Sequence, residues 1–98
     1  MNSIDTKELK TLLDNGSPIE LLDVREAAEV REGKIQAAKN IPLSLLEFRL
    51  HELDKSKEYH VICLSGGRSQ MACQTLENQG FKVVNVIGGM MSWDGKTV

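Results

Sequence analysis

Apolar positions along this chain fall into two patterns that alternate: short continuous runs, and leucines at one-faced helical spacing. Ile4 reads as a short edge strand or anchor. Asp5-Thr6-Lys7-Glu8 has capping-box spacing. Leu9, Leu12 and Leu13 then predict a helix that Gly16 closes. Ser17-Pro18 breaks the chain, and Ile19–Val24 is a mostly apolar run expected of an interior strand. Arg25–Glu32 is polar and helix-compatible, ending at Gly33, and Ile41-Pro42 suggests a short strand whose proline ends or edges the ladder. Ser44 with Glu47 at capping-box spacing, and Leu46, Leu50 and Leu53 on one face, predict a helix over 44–53. Tyr59–Cys63 predicts a strand, Ser69–Gln79 a helix closed by Gly80, and Phe81–Val86 the last strand. Gly88-Gly89 turns the chain into a short helix, Met90–Trp93.

Helices and apolar strands alternate with no hairpin signal between neighbouring strands. This predicts a single α/β domain over 1–98, with a largely parallel sheet covered by helices on both faces. In such sheets ligands sit beyond the carboxyl ends of the strands. Composition narrows the function classes. With 41% hydrophobic residues, 27% charged residues and a net charge of −2, the chain has the make-up of an ordinary globular domain. It offers no electrostatic case for nucleic acid or an anionic membrane surface. No apolar run approaches the ~20 residues of a membrane span. Met1–Lys7 is polar and runs straight into a helix start, unlike a signal peptide. Two cysteines, Cys63 and Cys73, are too few for a disulfide scaffold, so the expected setting is cytoplasmic with reduced thiols.

The chemistry-bearing stretch is Val61–Ser69: a strand, then Cys63, then Leu64-Ser65-Gly66-Gly67-Arg68, with a helix starting near Ser69. A cysteine attacks as the thiolate, and helix N-termini and cations lower its pKa. The amides from Leu64 to Ser69 are placed to curl round Sγ as an anion-binding nest, with the positive end of the helix behind them. Gly66 and Gly67 permit positive φ and remove Cβ atoms from a substrate's path. Arg68 offers a forked cation suited to sulfate-like or phosphate-like oxygens. No acidic residue occurs between Glu58 and Glu77 to oppose an anion. A lone buried cysteine is ordinarily an inert small hydrophobe. The coincidence of strand end, glycine pair, arginine and helix start selects the functional reading.

At these residues the chain resembles the rhodanese-like sulfurtransferases, over nearly its whole length. Leu22-Asp23-Val24-Arg25-Glu26, with Glu29, Gly33, Ile35, Ala38 and Asn40-Ile41-Pro42, is similar to the family's N-terminal signature. Cys63–Ser69 is similar to its active-site loop, and Gly88–Trp93 to its C-terminal signature. The resemblance implies a three-layer α/β/α fold with a central, mostly parallel five-stranded sheet. It implies a Cys63 persulfide loaded from a small anionic sulfur donor such as thiosulfate and unloaded by a thiol, a protein or cyanide. Leu64, Ser65, Gly66, Gly67, Arg68 and Ser69 would bind the substrate, Arg68 orienting the anion, and no cofactor or metal is called for. Asp23 and Arg25 would mainly brace the fold. Lys34, Val30 and Ala37 depart from the family's usual histidine, aromatic and glycine, which bears on the pocket rim and the donor, not on the loop.

Other readings are weighed against this one. Cysteine phosphatases also run from cysteine to arginine at a helix start, but over a loop one residue longer; here four residues intervene. Asp23 is the conceivable general acid for that chemistry. A binding module or sulfur relay differs from a free-standing enzyme in its acceptor. Arg25 and Glu29, at i and i+4, are expected to pair on a helix face. Cys73 is expected to face the core with Ala72 and Leu76, Trp93 to plug the core, and Met90 and Met91 to fill gaps beside it. His60 lies about 10 Å from Cys63 at strand rise, too far to be its base. His51 is expected to face solvent. Zinc is not expected, since the cysteines and histidines lack paired spacing.

Overall fold

A computed structural model describes residues 2–98; Met1, the first residue of the expected 1–98 domain, lies outside them. Five strands, β1 (Asn2–Asp5), β2 (Glu20–Asp23), β3 (Lys39–Asn40), β4 (Glu58–Ile62) and β5 (Lys82–Ile87), form one sheet in the order β1-β5-β4-β2-β3. All four pairings are parallel. β4 sits at the centre, with β2 and β5 as its neighbours.

Side-chain alternation builds the two faces. From β4, Tyr59, Val61 and the following Cys63 point into one cluster, while Ile62 enters the other; Leu22 and Leu21 of β2 divide the same way. Helix α3 (Gly67–Asn78) covers the first face through Ala72, Cys73 and Leu76. Helix α1 (Thr6–Asp14) covers the second through Leu9, with Leu13, Ile35, Met90 and Trp93 around it. The expected cap of α1 is present: Asp5 Oδ1 accepts from the Glu8 amide at 2.8 Å. A short helix α2 (Ala27–Arg31) follows β2 and buries none of its residues.

The helix expected over 44–53 is instead two 3-10 segments, Leu43–Phe48 and Leu50–Glu52. The leucine spacing explains the difference. A 3-10 turn stacks residues three apart, so Leu43 with Leu46, and Leu50 with Leu53, each make one short ridge on the core. Arg49, at φ −124°, resets the direction between them. Ser44 does not cap; its hydroxyl faces Glu26 Oε1 at 3.5 Å.

Arg25 and Glu29 are not a helix-face pair either. Arg25 precedes α2 and is 4% exposed, and its guanidinium grips Asp23, Nε at 3.1 Å from both carboxylate oxygens and Nη2 at 2.8 Å from Oδ2. Nη2 also donates to the Gly33 carbonyl at 2.8 Å. The Asn40 amide bridges the carbonyls of Asp23 and Arg25 at 2.8 and 2.9 Å, which ties β3 to the end of β2. The N-terminal signature therefore knots the chain where β2 leaves the sheet. Removing one partner of a buried ion pair strands the other charge, at a cost of roughly 3–5 kcal/mol. Asp23→Ala is expected to lose stability on that scale in urea unfolding, whereas Asp14→Ala, which cuts an exposed pair with Lys10, should leave the midpoint nearly unmoved.

Candidate active site

Cys63 follows the last residue of β4, at the carboxyl edge of the sheet, and is 1% exposed. Two flanking strands deliver the remaining parts. The segment after β2 brings Glu29, and the segment after β5 brings Gly88 and Gly89. The three stretches singled out in the sequence thus meet around one sulfur.

The loop closes on Sγ from below. The Gly66 amide donates to it at 3.0 Å, and the Ser69 hydroxyl lies 3.4 Å away. Gly66 takes φ +114°, a conformation side chains rarely adopt, and this starts α3 at Gly67 rather than at Ser69. Ser69, fully buried, is consequently inside the first turn, where its hydroxyl donates to the Gly66 carbonyl at 3.0 Å. Sequence reasoning placed Ser69 as the helix start; the tight loop uses glycine as the cap, and the Ser69 oxygen accepts from the Cys63 thiol.

Burial pushes the Cys63 thiol up, but hydrogen bonds from the Ser69 side chain and from the amides of Ser69, Gly66 and Ser65 outweigh it. The net effect is a thiol held below its ordinary value of 9.0. Cys73 shows the contrast. Fully buried in the α3 core, with Glu77 adding to the effect of burial, it is pushed up to about 12 and stays a thiol.

The arginine expected at the rim has a partner. Arg68 spends its fork on Glu29, with Nη1 to Oε1 at 2.5 Å and Nη2 to Oε2 at 2.9 Å. Glu29 Oε1 also accepts from the Glu26 amide at 3.1 Å, which fixes the carboxylate at the start of α2. The Arg68 guanidinium holds the Glu29 carboxyl well down, at about 2. No acidic residue within the loop's own stretch opposes an anion; the opposing one comes from 39 positions earlier, invisible to local spacing. Leu64, Ser65 and Gly67 are the exposed residues of the loop.

Sequence reasoning also missed what Gly89 does. At φ +59° it lies against the loop's first peptides, where a Cβ would meet the carbonyl oxygens of Cys63 at 2.5 Å and Leu64 at 2.6 Å. The amides of Met90 and Met91 donate to those same carbonyls at 2.8 and 2.9 Å. Met90 packs by Trp93 as expected; Met91 does not, being 72% exposed because its backbone, not its side chain, faces the loop. His60 is buried, and Asp23, also buried, is gripped by Arg25. Among the described residues no three His, Cys, Asp or Glu side chains gather as a metal site, and no helix is long and apolar enough to cross a membrane.

Comparison with known proteins places the whole chain. The model of the Rhodanese-like domain family matches residues 5–96. A Bacillus subtilis (strain 168) protein named "Putative sulfurtransferase YtwF" is 45% identical over 97 residues, covering 99% of this chain and 94% of that one. "Putative sulfur carrier protein YrkF" of the same organism is 42% identical, covering 96% of this chain and 51% of its own length. The crystal structure of a rhodanese-like domain protein from Staphylococcus aureus superposes with a TM-score of 0.92 at 38% identity, covering 98% of this chain and 94% of that one.

Two substitutions test the geometry. Ser69→Ala removes a hydrogen bond from the sulfur and should move the Cys63 pKa upward, read by the pH dependence of thiolate ultraviolet absorbance. Gly89→Ala must both hold a left-handed residue and push two backbone carbonyls aside, a cost of about 2–4 kcal/mol. The expected loss in Tm is on the order of 10–20 °C.

Proposed function

This chain belongs to the rhodanese-like domain family, and on that premise we propose that it transfers a sulfane sulfur through a persulfide on Cys63. The observation that carries the proposal is a buried sulfur, just past the central strand, that accepts from the Gly66 amide at 3.0 Å and is held below its ordinary pKa by the hydrogen bonds of its own loop. Such a thiolate attacks the outer sulfur of a donor; the donor's S–S bond breaks, its electron pair leaves with the remainder, and Cys63 keeps the sulfur. A second nucleophile then attacks that outer sulfur and releases the Cys63 thiolate, a ping-pong sequence. Leu64, Ser65, Gly66, Gly67 and Ser69 form the wall against which the transferred sulfur sits, with Arg68 bracing the rim. Thiosulfate is the simplest donor, and cyanide or a thiol the simplest acceptor.

A protein acceptor is the second reading, favoured by the similarity to a protein named as a sulfur carrier. Both readings set the chemistry in the cytoplasm, where the two free thiols stay reduced. Phosphate-ester hydrolysis fits less well: Asp23 is held by Arg25, and the Arg68 fork already holds a carboxylate.

Incubation with thiosulfate or an organic persulfide, followed by intact mass measurement, should show one added sulfur atom that reductant removes. The adduct should vanish in Cys63→Ser and persist in Cys73→Ser. Because the Cys63 thiol is held below 9.0, loading should rise with pH and level off before an ordinary cysteine would ionise. No adduct from either donor, together with turnover of an aryl phosphate, would overturn the proposal.

A further inference from the structure

The rim of the site is electrically closed. Arg68 and Glu29 face each other fork to fork, each about one-third exposed, and Glu29 is anchored from behind by the Glu26 amide. The parallel two-bond geometry is the strongest that an arginine and a carboxylate make. The nearby Arg25 cannot substitute, since Asp23 and the Gly33 carbonyl occupy it. The cavity of about 570 Å³ that borders the loop, lined by Ser65, Gly66, Gly67, Gln70 and Ile87 among others, has no charged residue in its lining.

We propose that Glu29 sets the donor class: by pairing with both outer nitrogens of Arg68, it neutralises the cation at the rim, so the site takes sulfur from organic persulfides in preference to oxyanion donors such as thiosulfate. This rests on the persulfide chemistry proposed above. Thiosulfate carries its charge on a sulfonate whose oxygens need donors outside the cradle. At Arg68 they meet a guanidinium whose charge Glu29 already balances, and they must take the N–H groups that Glu29 leaves while lying beside its carboxylate. A persulfide makes no such demand, because its reacting end is sulfur and the loop amides meet it directly. The step balances: R–S–SH and the Cys63 thiolate give Cys63–S–SH and R–S⁻, one S–S bond breaking as another forms, with no outside oxidant. The Glu29 carboxyl, at about 2, stays ionised at any working pH, so the pair does not open by titration.

The test measures kcat/KM for thiosulfate and for 2-hydroxyethyl persulfide as donors to a common thiol acceptor. The wild-type protein should favour the persulfide. Glu29→Gln keeps an oxygen for the Glu26 amide but gives up the charge. It should raise the thiosulfate-to-persulfide ratio about 10-fold or more, chiefly through a lower KM for thiosulfate. Adding Arg68→Gln to that variant should cancel the gain, which a purely structural role for Glu29 would not produce. A measurement on the unaltered protein stands beside these: at constant ionic strength, sulfate should not compete with persulfide loading. An unchanged or lower ratio in Glu29→Gln, equal wild-type use of the two donors, or competition by sulfate would overturn the assignment of Glu29. Failure of both donors to load Cys63, read by mass, would instead overturn the persulfide chemistry beneath it.

Discussion

A cysteine sulfur buried to 1% exposure can carry negative charge only if donors on the protein meet it, and the architecture around Cys63 supplies them. Burial alone would keep the proton on sulfur, as it does for Cys73. The loop reverses the balance with one hydroxyl and the amides of Ser65, Gly66 and Ser69. Amides act only if the peptides carrying them cannot turn away. Gly66 at φ +114° sets their direction, and the start of α3 prevents them from relaxing. On the other side the carbonyls of Cys63 and Leu64 are held by the amides of Met90 and Met91. The loop is thus clamped from both ends, and its stiffness lowers the thiol's pKa.

Why the clamp sits where it does is a matter of topology. Parallel strands present all their carboxyl ends at one edge, so whatever follows β2, β4 and β5 gathers there. The turn after β2 would be a weak point, since it carries polar backbone into a buried corner. Asp23, Arg25 and Asn40 satisfy that corner among themselves. With the corner fixed, α2 starts at a defined place, and Glu29 on its first turn is carried to within reach of Arg68.

Much of this was legible in the chain. The strands at 19–24, 59–63 and 81–86 announced themselves as apolar runs, and the parallel sheet followed from their alternation with helices. Cys63 at a strand end, with glycines and an arginine beyond it, announced the thiol. The rest hid in two physically different ways. The leucines at 43, 46, 50 and 53 fit a 3.6-residue period nearly as well as a 3-residue one, so periodicity could not separate an α-helix from two 3-10 turns. The Arg68–Glu29 contact and the packing of Gly89 on the Cys63 carbonyl are tertiary. Arg25 and Glu29 had the spacing of a pair, but each found a nearer or better-aimed partner once the chain folded, Asp23 for one and Arg68 for the other.

The site therefore holds two arginines and two carboxylates, and in both cases the charges are spent on each other. The larger influences that lower the Cys63 pKa are hydrogen-bonding dipoles of its own loop. That distinction has a chemical consequence. A free cation attracts any anion that approaches, at long range and with little regard for shape. A ring of amides a few ångströms across acts at contact and rewards only an atom small enough to sit within it. It therefore serves a thiolate and the terminal sulfur of a persulfide alike. On the proposed persulfide chemistry, a cradle indifferent to which of the two it holds suits both halves of the cycle.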